Sequence, residues 1–415
     1  MKGLTITGKN RLCGKIRLSA AKNAILPLIS ACLLTKREVV FYDVPNLSDV
    51  SAMIELIKSL GCRAEQCDNM LAVKCETVEP QKIDNEIVGK IRSSFFLLGP
   101  LLARCGEAYI HTPGGCEIGA RPIDLHLCGL RRMGIKIESG EKIISCKGRP
   151  TGNFVTLSYP SVGATENIMM AAAGADGCTV IYGAAKEPEI SDLACFINVL
   201  GGKISGAGTD VITVEGRKTF GGADYRPIPD RIVYATFIAA LAVAKGELVI
   251  ENAPLFYDPS QIVFTSMGIS INSAGGVTRV KCNKSLTQVG SVVTSPYPGF
   301  PTDAQPLLTA AMCYADGQSK VTETLFENRF RFADELRKMG ADIQVNGRTA
   351  VVNGKALVGA DVTARDLRGG AAIIVAALGA EGISRVRGIQ HVKRGYGDFA
   401  ETLSALGASV KEELL

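Results

Sequence analysis

Histidine is scarce in this sequence. His111, His126 and His391 are the only three among 415 residues, which leaves little room for a histidine-based catalytic or metal site. Basic tracts are lacking, and the 46 Lys and Arg against 41 Asp and Glu leave a surplus of +5 spread along the chain, which argues against a nucleic-acid partner. The longest apolar stretches, residues 95–103 and 371–378, fall well short of a membrane span. The opening Met1-Lys2-Gly3-Leu4-Thr5 has no apolar signal-peptide core. Thirteen cysteines are scattered, odd in number and never spaced Cys-x-x-Cys. That pattern argues against a disulfide framework or zinc site and fits a reducing cytoplasm. What remains is ordinary globular composition, 47% apolar and 21% charged, in a chain too long for one core. Two domains are expected.

A repeat organises the chain. An apolar residue followed by Gly, then a strand-like alternation, recurs at Gly61, Gly134, Gly201, Gly268, Gly340 and Gly407, spaced 73, 67, 67, 72 and 67 residues apart. Each Gly follows an amphipathic helical pattern, where a left-handed C-terminal residue is expected. A more evenly apolar helix lies upstream in each unit, at 23–34, 93–103, 166–173, 232–244, 304–315 and 369–379. Between the two helices lies a β-branched strand such as Glu38–Phe41, and a hairpin follows the Gly. The sixth unit lacks its hairpin partner after Ser409-Val410-Lys411, while Leu4-Thr5-Ile6-Thr7-Gly8 resembles the returning strands. The reading is an α/β (α+β) chain in two inside-out α/β barrels of three units each, helices inside and sheets outside. One domain takes 22–229 and the other 1–21 with 230–415, its sixth unit completed by the N-terminal strand.

Charges at the N-terminal ends of apolar helices are informative, because those ends attract anions. Lys22 precedes the first such helix, Arg92 opens the second, Asp303 precedes the fifth and Arg368 opens the sixth, with Thr165 and Arg231 at the equivalent ends of units three and four. Single charges there are commonly ordinary caps, but Lys and Arg oppose the helix dipole unless an anion arrives. The segment Thr112-Pro113-Gly114-Gly115-Cys116-Glu117-Ile118-Gly119-Ala120-Arg121-Pro122 is a glycine-rich connection able to close over a ligand. Cys116, followed by Arg121, is a better candidate for a reactive thiol than the cysteines on apolar helix faces.

Lys22-Asn23, the Cys116 loop, Phe300-Pro301-Thr302-Asp303, Phe326-Glu327-Asn328-Arg329-Phe330, Asp366-Leu367-Arg368 and Arg394-Gly395-Tyr396 together resemble the UDP-N-acetylglucosamine 1-carboxyvinyltransferases, an enolpyruvyl transferase family. The resemblance runs along essentially the whole chain. It implies transfer of the enolpyruvyl group of phosphoenolpyruvate to the 3′-hydroxyl of UDP-N-acetylglucosamine, with release of phosphate, as the first committed step of peptidoglycan synthesis. It implies that Lys22, Arg121 and Arg394, with Arg92 and Arg368 nearby, face phosphoenolpyruvate. Cys116 is the implied general acid, and the target of the epoxide fosfomycin. By the same resemblance, Asp303 would take or orient the proton of the attacking hydroxyl. The resemblance also implies that Asn23, Arg92, Arg121, Pro122, Ile123, Asp124, Leu125, Ser161, Val162, Gly163 and Leu325 hold the nucleotide sugar. Ala20, Phe96, Tyr159 and Lys393 depart from the pattern at its periphery. No cofactor or metal is implied, no nucleic-acid or membrane partner is expected, and the chain is expected as a monomer or weak homo-oligomer. The competing readings are 3-phosphoshikimate 1-carboxyvinyltransferase, which uses no such loop cysteine, and a silent nucleotide-sugar-binding paralogue.

Overall fold

Helix termination explains the recurring glycines. The computed structural model describes residues 2–80, 92–111, 123–140 and 143–415. In it the helices Ser48–Ser59, Asp124–Arg132, Pro188–Val199, Pro259–Ser266, Ala333–Lys338 and Phe399–Ala405 each end two residues before one of the six glycines. Each glycine has φ between 85° and 99°. The glycine N–H and the next N–H turn back onto the helix's last carbonyls, as Gly340 N does onto Arg337 O (2.9 Å) and Ala341 N onto Leu336 O (3.1 Å). Only a residue that tolerates the left-handed region closes a helix this way without strain.

The chain then builds one four-stranded sheet by a repeated rule. Phe154–Thr156 lies on one edge, parallel to Cys178–Tyr182, and Val211–Glu215 and Lys203–Ser205 follow in antiparallel order. The parallel pair is joined through the apolar helix Val162–Ala173. Two edge strands are exchanged. Leu12–Arg17 precedes the helix Lys22–Ala31 yet pairs with Gly246–Glu251, while Ala223–Tyr225 precedes Arg231–Ala244 yet pairs with Glu38–Phe41. In the sheet containing both chain ends, Lys2–Thr7 runs antiparallel to Ile383–Arg387 and to Ser409–Leu414, with Leu4 opposite both Val386 and Glu412. It occupies the place that a return strand fills in the other four-stranded sheets.

Two compact units result, one from the start of the chain to Ser19 with Pro229–Leu415, the other within Ala20 to Ile228. In the first, Arg231–Ala244, Gln305–Met312 and Leu367–Gly379 pack on one another and are buried almost throughout. In the second, Leu98–Cys105 packs on Val162–Ala173, and Lys22–Ala31 on the 3-10 helix Arg92–Leu97. The strands alternate in burial, as Cys178–Tyr182 does, with one face against the helices. The α/β architecture with helices inside and sheets outside is therefore as expected. Helix limits differ in places. The third apolar helix starts at Val162, before 166, because the Ser161 hydroxyl accepts from Ala164 N (3.4 Å) and caps it there. Thr165 is thus the fourth residue of that helix and no end group. Its hydroxyl donates to Ser161 O (2.8 Å) and accepts from Ala185 N (3.0 Å). No helix among the described residues is long and apolar enough to cross a membrane.

The glycine closures give a clean test. A Cβ on Gly340 meets nothing within 4 Å, so Gly340→Ala isolates the left-handed backbone penalty. The expected loss is about 1–2 kcal/mol, read as a lower urea midpoint. An unchanged midpoint would mean that the helix end relaxes freely.

Candidate active site

Asp303 lies two residues before the helix Gln305–Met312 and is held by two buried arginines. Arg329 Nη2 reaches Oδ1 at 2.7 Å and Arg368 Nε reaches Oδ2 at 3.3 Å, with the guanidinium side chains 2% and 3% exposed and Asp303 28% exposed. Arg329 also donates to Thr302 O through Nε (3.3 Å) and Nη2 (3.0 Å), and lies 5.7 Å from the centre of the Phe326 ring. Arg368 Nη1 donates to the Tyr396 hydroxyl at 3.0 Å. Burial works against the charge of Arg368, but Tyr396, Asp303 and Asp230 more than offset it, and its pKa stands above the ordinary value. Removing one partner from such a cluster strands a buried charge, which typically costs about 3–5 kcal/mol.

The helix ends around this cluster are closed by aspartates. Asp230 accepts from Ile232 N (2.8 Å) and Val233 N (2.9 Å), and Asp366 from Arg368 N (3.1 Å) and Gly369 N (2.8 Å). These caps satisfy the first-turn N–H groups, so Arg231 and Arg368 follow a cap and do not replace one. Glu323, fully buried, accepts from the Thr302 hydroxyl (2.8 Å) and from Leu325 N (2.8 Å) and Phe326 N (3.3 Å). It fixes Leu325 beside the Asp303 segment. Arg394 ends the 3-10 helix Val392–Arg394, and a Cβ on the next residue, Gly395, would come within 2.9 Å of Leu367. That closeness seats the Arg394 turn against the start of the Arg368 helix. Lys393, a departure from the family pattern, binds both carboxylate oxygens of Glu412 at 2.9 Å.

The Ala20–Ile228 unit carries a second group. Lys22 is the first residue of its helix, and its Nζ pairs with Asp49 Oδ2 at 2.9 Å, the side chains 12% and 3% exposed. Asn23 beside it is half-buried. Ser161, Val162 and Gly163 start the third apolar helix, and a Cβ on Gly163 would stand 3.1 Å from His126 Cε1. Glycine there lets this helix end approach the turn of Ile123, Asp124 and Leu125. Asn167 joins the pieces: Nδ2 donates to Phe95 O (2.8 Å) and lies 2.9 Å from His126 Nδ1, while Oδ1 accepts from Gly99 N (2.9 Å). Nδ1 therefore accepts, which puts the neutral ring's proton on Nε2. Desolvation takes the His126 pKa down to about 4, with Asp124 partly opposing. One turn along, burial and then Glu189 and Glu187 push the Glu166 carboxyl well above the carboxylate range.

The structure thus joins Asp303, Arg368 and the Arg394 turn in one unit, and in the other sets Ile123–Leu125 against Ser161–Gly163. Cys116, Arg121 and Pro122 lie outside the described residues, and Arg92 is described only as the first residue of its 3-10 helix. Arg329, Asp49 and His126 were not anticipated as site residues. Arg329 lies in the Phe326–Phe330 stretch that carries the resemblance, but no role attaches to it there, and Asp49 reads as an ordinary first-turn acid. His126 yields a pH test. Between pH 6.5 and 4 the unfolded chain binds a proton that the folded ring refuses, so stability present above 6.5 is lost as pH falls toward 4. The stability advantage of wild type over His126→Gln should shrink from pH 7.5 to 4.5 in thermal unfolding, and a constant gap would contradict the assignment.

Comparison with known proteins identifies the family. A family model described as EPSP synthase (3-phosphoshikimate 1-carboxyvinyltransferase) matches residues 6–403. UDP-N-acetylglucosamine 1-carboxyvinyltransferase 2 of Caldanaerobacter subterraneus subsp. tengcongensis is 45% identical over 98% of each chain, and enzyme 1 of that organism 47% over 96% of each. The Halothermothrix orenii UDP-N-acetylglucosamine 1-carboxyvinyltransferase is 44% identical over 98% of each. Among solved structures, the enolpyruvyl transferase NikO from Streptomyces tendae matches with a TM-score of 0.89 at 25% identity, covering 99% of this chain and 98% of that one. EPSP synthase from Acinetobacter baumannii shares the fold over the full length of both chains, with a TM-score of 0.78 at 18% identity. Full-length relatives above 40% identity and a family match across 6–403 establish that this chain belongs to the EPSP synthase family of enolpyruvyl transferases, among the UDP-N-acetylglucosamine 1-carboxyvinyltransferases.

Proposed function

We propose that this enzyme transfers the enolpyruvyl group of phosphoenolpyruvate to the 3′-hydroxyl of UDP-N-acetylglucosamine and releases phosphate, the first committed step of peptidoglycan synthesis. The observation that carries this reading is Asp303, beside the start of one apolar helix, held by Arg329 and by Arg368 at the start of another, in a chain whose full-length relatives bear that enzyme's name. Phosphoenolpyruvate carries a phosphate and a carboxylate, which planar guanidinium groups suit. Among the described residues Arg368 spends Nε and Nη1 on Asp303 and Tyr396, and Nη2 remains for an anion. Arg394, Lys22, Arg92 and Arg121 supply further positive charge for phosphoenolpyruvate.

In this reading the Cys116 thiol protonates the methylene carbon of phosphoenolpyruvate, which makes the neighbouring carbon electrophilic. The 3′-hydroxyl adds there. Asp303 accepts or orients its proton. Both Asp303 oxygens already accept from arginines, which favours orienting the hydroxyl. Loss of phosphate from the tetrahedral adduct, with a proton from the methyl carbon, gives the enol ether. Asn23, Ile123, Asp124, Leu125, Ser161, Val162, Gly163 and Leu325, with Arg92, Arg121 and Pro122, hold the nucleotide sugar. A cytoplasmic setting agrees with thirteen cysteines that never fall in Cys-x-x-Cys spacing.

Phosphate release from phosphoenolpyruvate should be rapid with UDP-N-acetylglucosamine as acceptor and negligible with shikimate 3-phosphate. The opposite preference would overturn the assignment. Cys116→Ala should abolish turnover yet bind UDP-N-acetylglucosamine by calorimetry nearly as wild type does, and with the nucleotide sugar present fosfomycin should add its mass to wild type alone. Arg394→Ala should lower kcat/KM roughly 100-fold or more. Kinetics like wild type would remove Arg394 from the site.

A further inference from the structure

Arg368 is tied to a neighbouring helix by a hydrogen-bond chain that no step of the proposed reaction uses. Its Nη1 lies 3.0 Å from the Tyr396 hydroxyl, which lies 2.7 Å from Thr236 Oγ1, which donates to Ile232 O at 2.7 Å. The proton order along this chain is fixed at both ends. A guanidinium only donates and a carbonyl only accepts, so Tyr396 accepts from Arg368 and donates to Thr236, and Thr236 donates to Ile232 O. The reverse order leaves the Tyr396 proton without an acceptor inside a buried site. Tyr396 is 4% exposed and Thr236 fully buried, so no solvent stands in for a lost partner. The chain spans Leu367–Gly379, the turn after Val392–Arg394 and Arg231–Ala244. It therefore sets the Arg368 guanidinium plane from the side opposite Asp303.

We propose that Tyr396, backed by Thr236, is a positioning residue that holds Arg368 in the orientation needed to bind the anionic phosphoenolpyruvate. The proposal rests on the reading of Arg368 as a phosphoenolpyruvate contact. Neither side chain is assigned any contact with substrate. Both act through Arg368, so their loss should register in phosphoenolpyruvate kinetics and leave recognition of the nucleotide sugar alone. Burial, above all, holds the Tyr396 pKa above its ordinary value, in keeping with a neutral hydroxyl that both accepts and donates.

Tyr396→Phe keeps the ring and deletes the hydroxyl. Hydrogen bonds to charged groups are worth enough that kcat/KM for phosphoenolpyruvate should fall roughly ten- to hundredfold, mainly through KM, with KM for UDP-N-acetylglucosamine within about twofold of wild type. Thr236→Val should move the same constant in the same direction by less, and Thr236→Ser should restore it. Because Tyr396 acts through Arg368, Tyr396→Phe should add little to the defect of Arg368→Lys. Additive losses, or a Tyr396→Phe enzyme whose two KM values rise together with a fall in thermal midpoint, would reduce Tyr396 to a structural residue and overturn the proposal. Unaltered phosphoenolpyruvate kinetics in Arg368→Lys would instead remove the assignment of Arg368, and the proposal with it. Failure of wild type to release phosphate from phosphoenolpyruvate would remove the proposed reaction itself.

Discussion

Enclosing apolar helices within sheets leaves polar atoms exposed only at the helix ends, and that constraint decides where charge can sit in this protein. A buried helix terminus has N–H groups without intrahelical partners, and a buried cation beside it is tolerable only with a close anion. Asp230 and Asp366 serve the N–H groups, Asp303 serves Arg329 and Arg368, and Asp49 serves Lys22. The cations are thereby retained just inside helix starts, where they oppose the helix dipole.

The same pairs make fold and site hard to separate. Asp303 keeps two guanidinium groups compatible with burial, and the guanidinium groups in turn fix its rotamer. Glu323 extends this support by tying Thr302, next to Asp303, to the backbone at Leu325 and Phe326. Preorganisation here is a by-product of satisfying buried polar atoms. Groups arranged to stay paired in the resting protein need little rearrangement when an anion arrives.

Local features of the fold were legible in the sequence, and features set by distant partners were not. The six glycines mark helix ends because the left-handed turn is a property of a few consecutive residues. The apolar helices were visible for a similar reason, though the third was placed four residues late, because Ser161-Val162-Gly163 does not look like a helix start until its cap is seen. The exchange of the edge strands Leu12–Arg17 and Ala223–Tyr225 leaves no local trace. In the site, Asp303 and Arg368 stood out as charges beside apolar helices. Arg329 did not, since its burial depends on a carboxylate 26 residues away. Lys393, read as a departure, has a carboxylate partner 19 residues on, which no motif would reveal.

Placing Lys2–Thr7 between Ile383–Arg387 and Ser409–Leu414 also constrains the order of biosynthesis. Among the described strands, Lys2–Thr7 comes earliest along the chain and pairs with the two that come latest. Long-range pairings of this kind are slow to form, and the strand's edges stay unpaired in the interim. The unit within Ala20 to Ile228 has all its described strands once Tyr225 has emerged. It can fold during synthesis, whereas the unit that carries Asp303 and Arg368 must wait for Ser409–Leu414 to emerge. A nascent chain therefore holds one folded unit while Lys2–Thr7 waits for its partners, and the unit with the Asp303–Arg368 cluster is completed later.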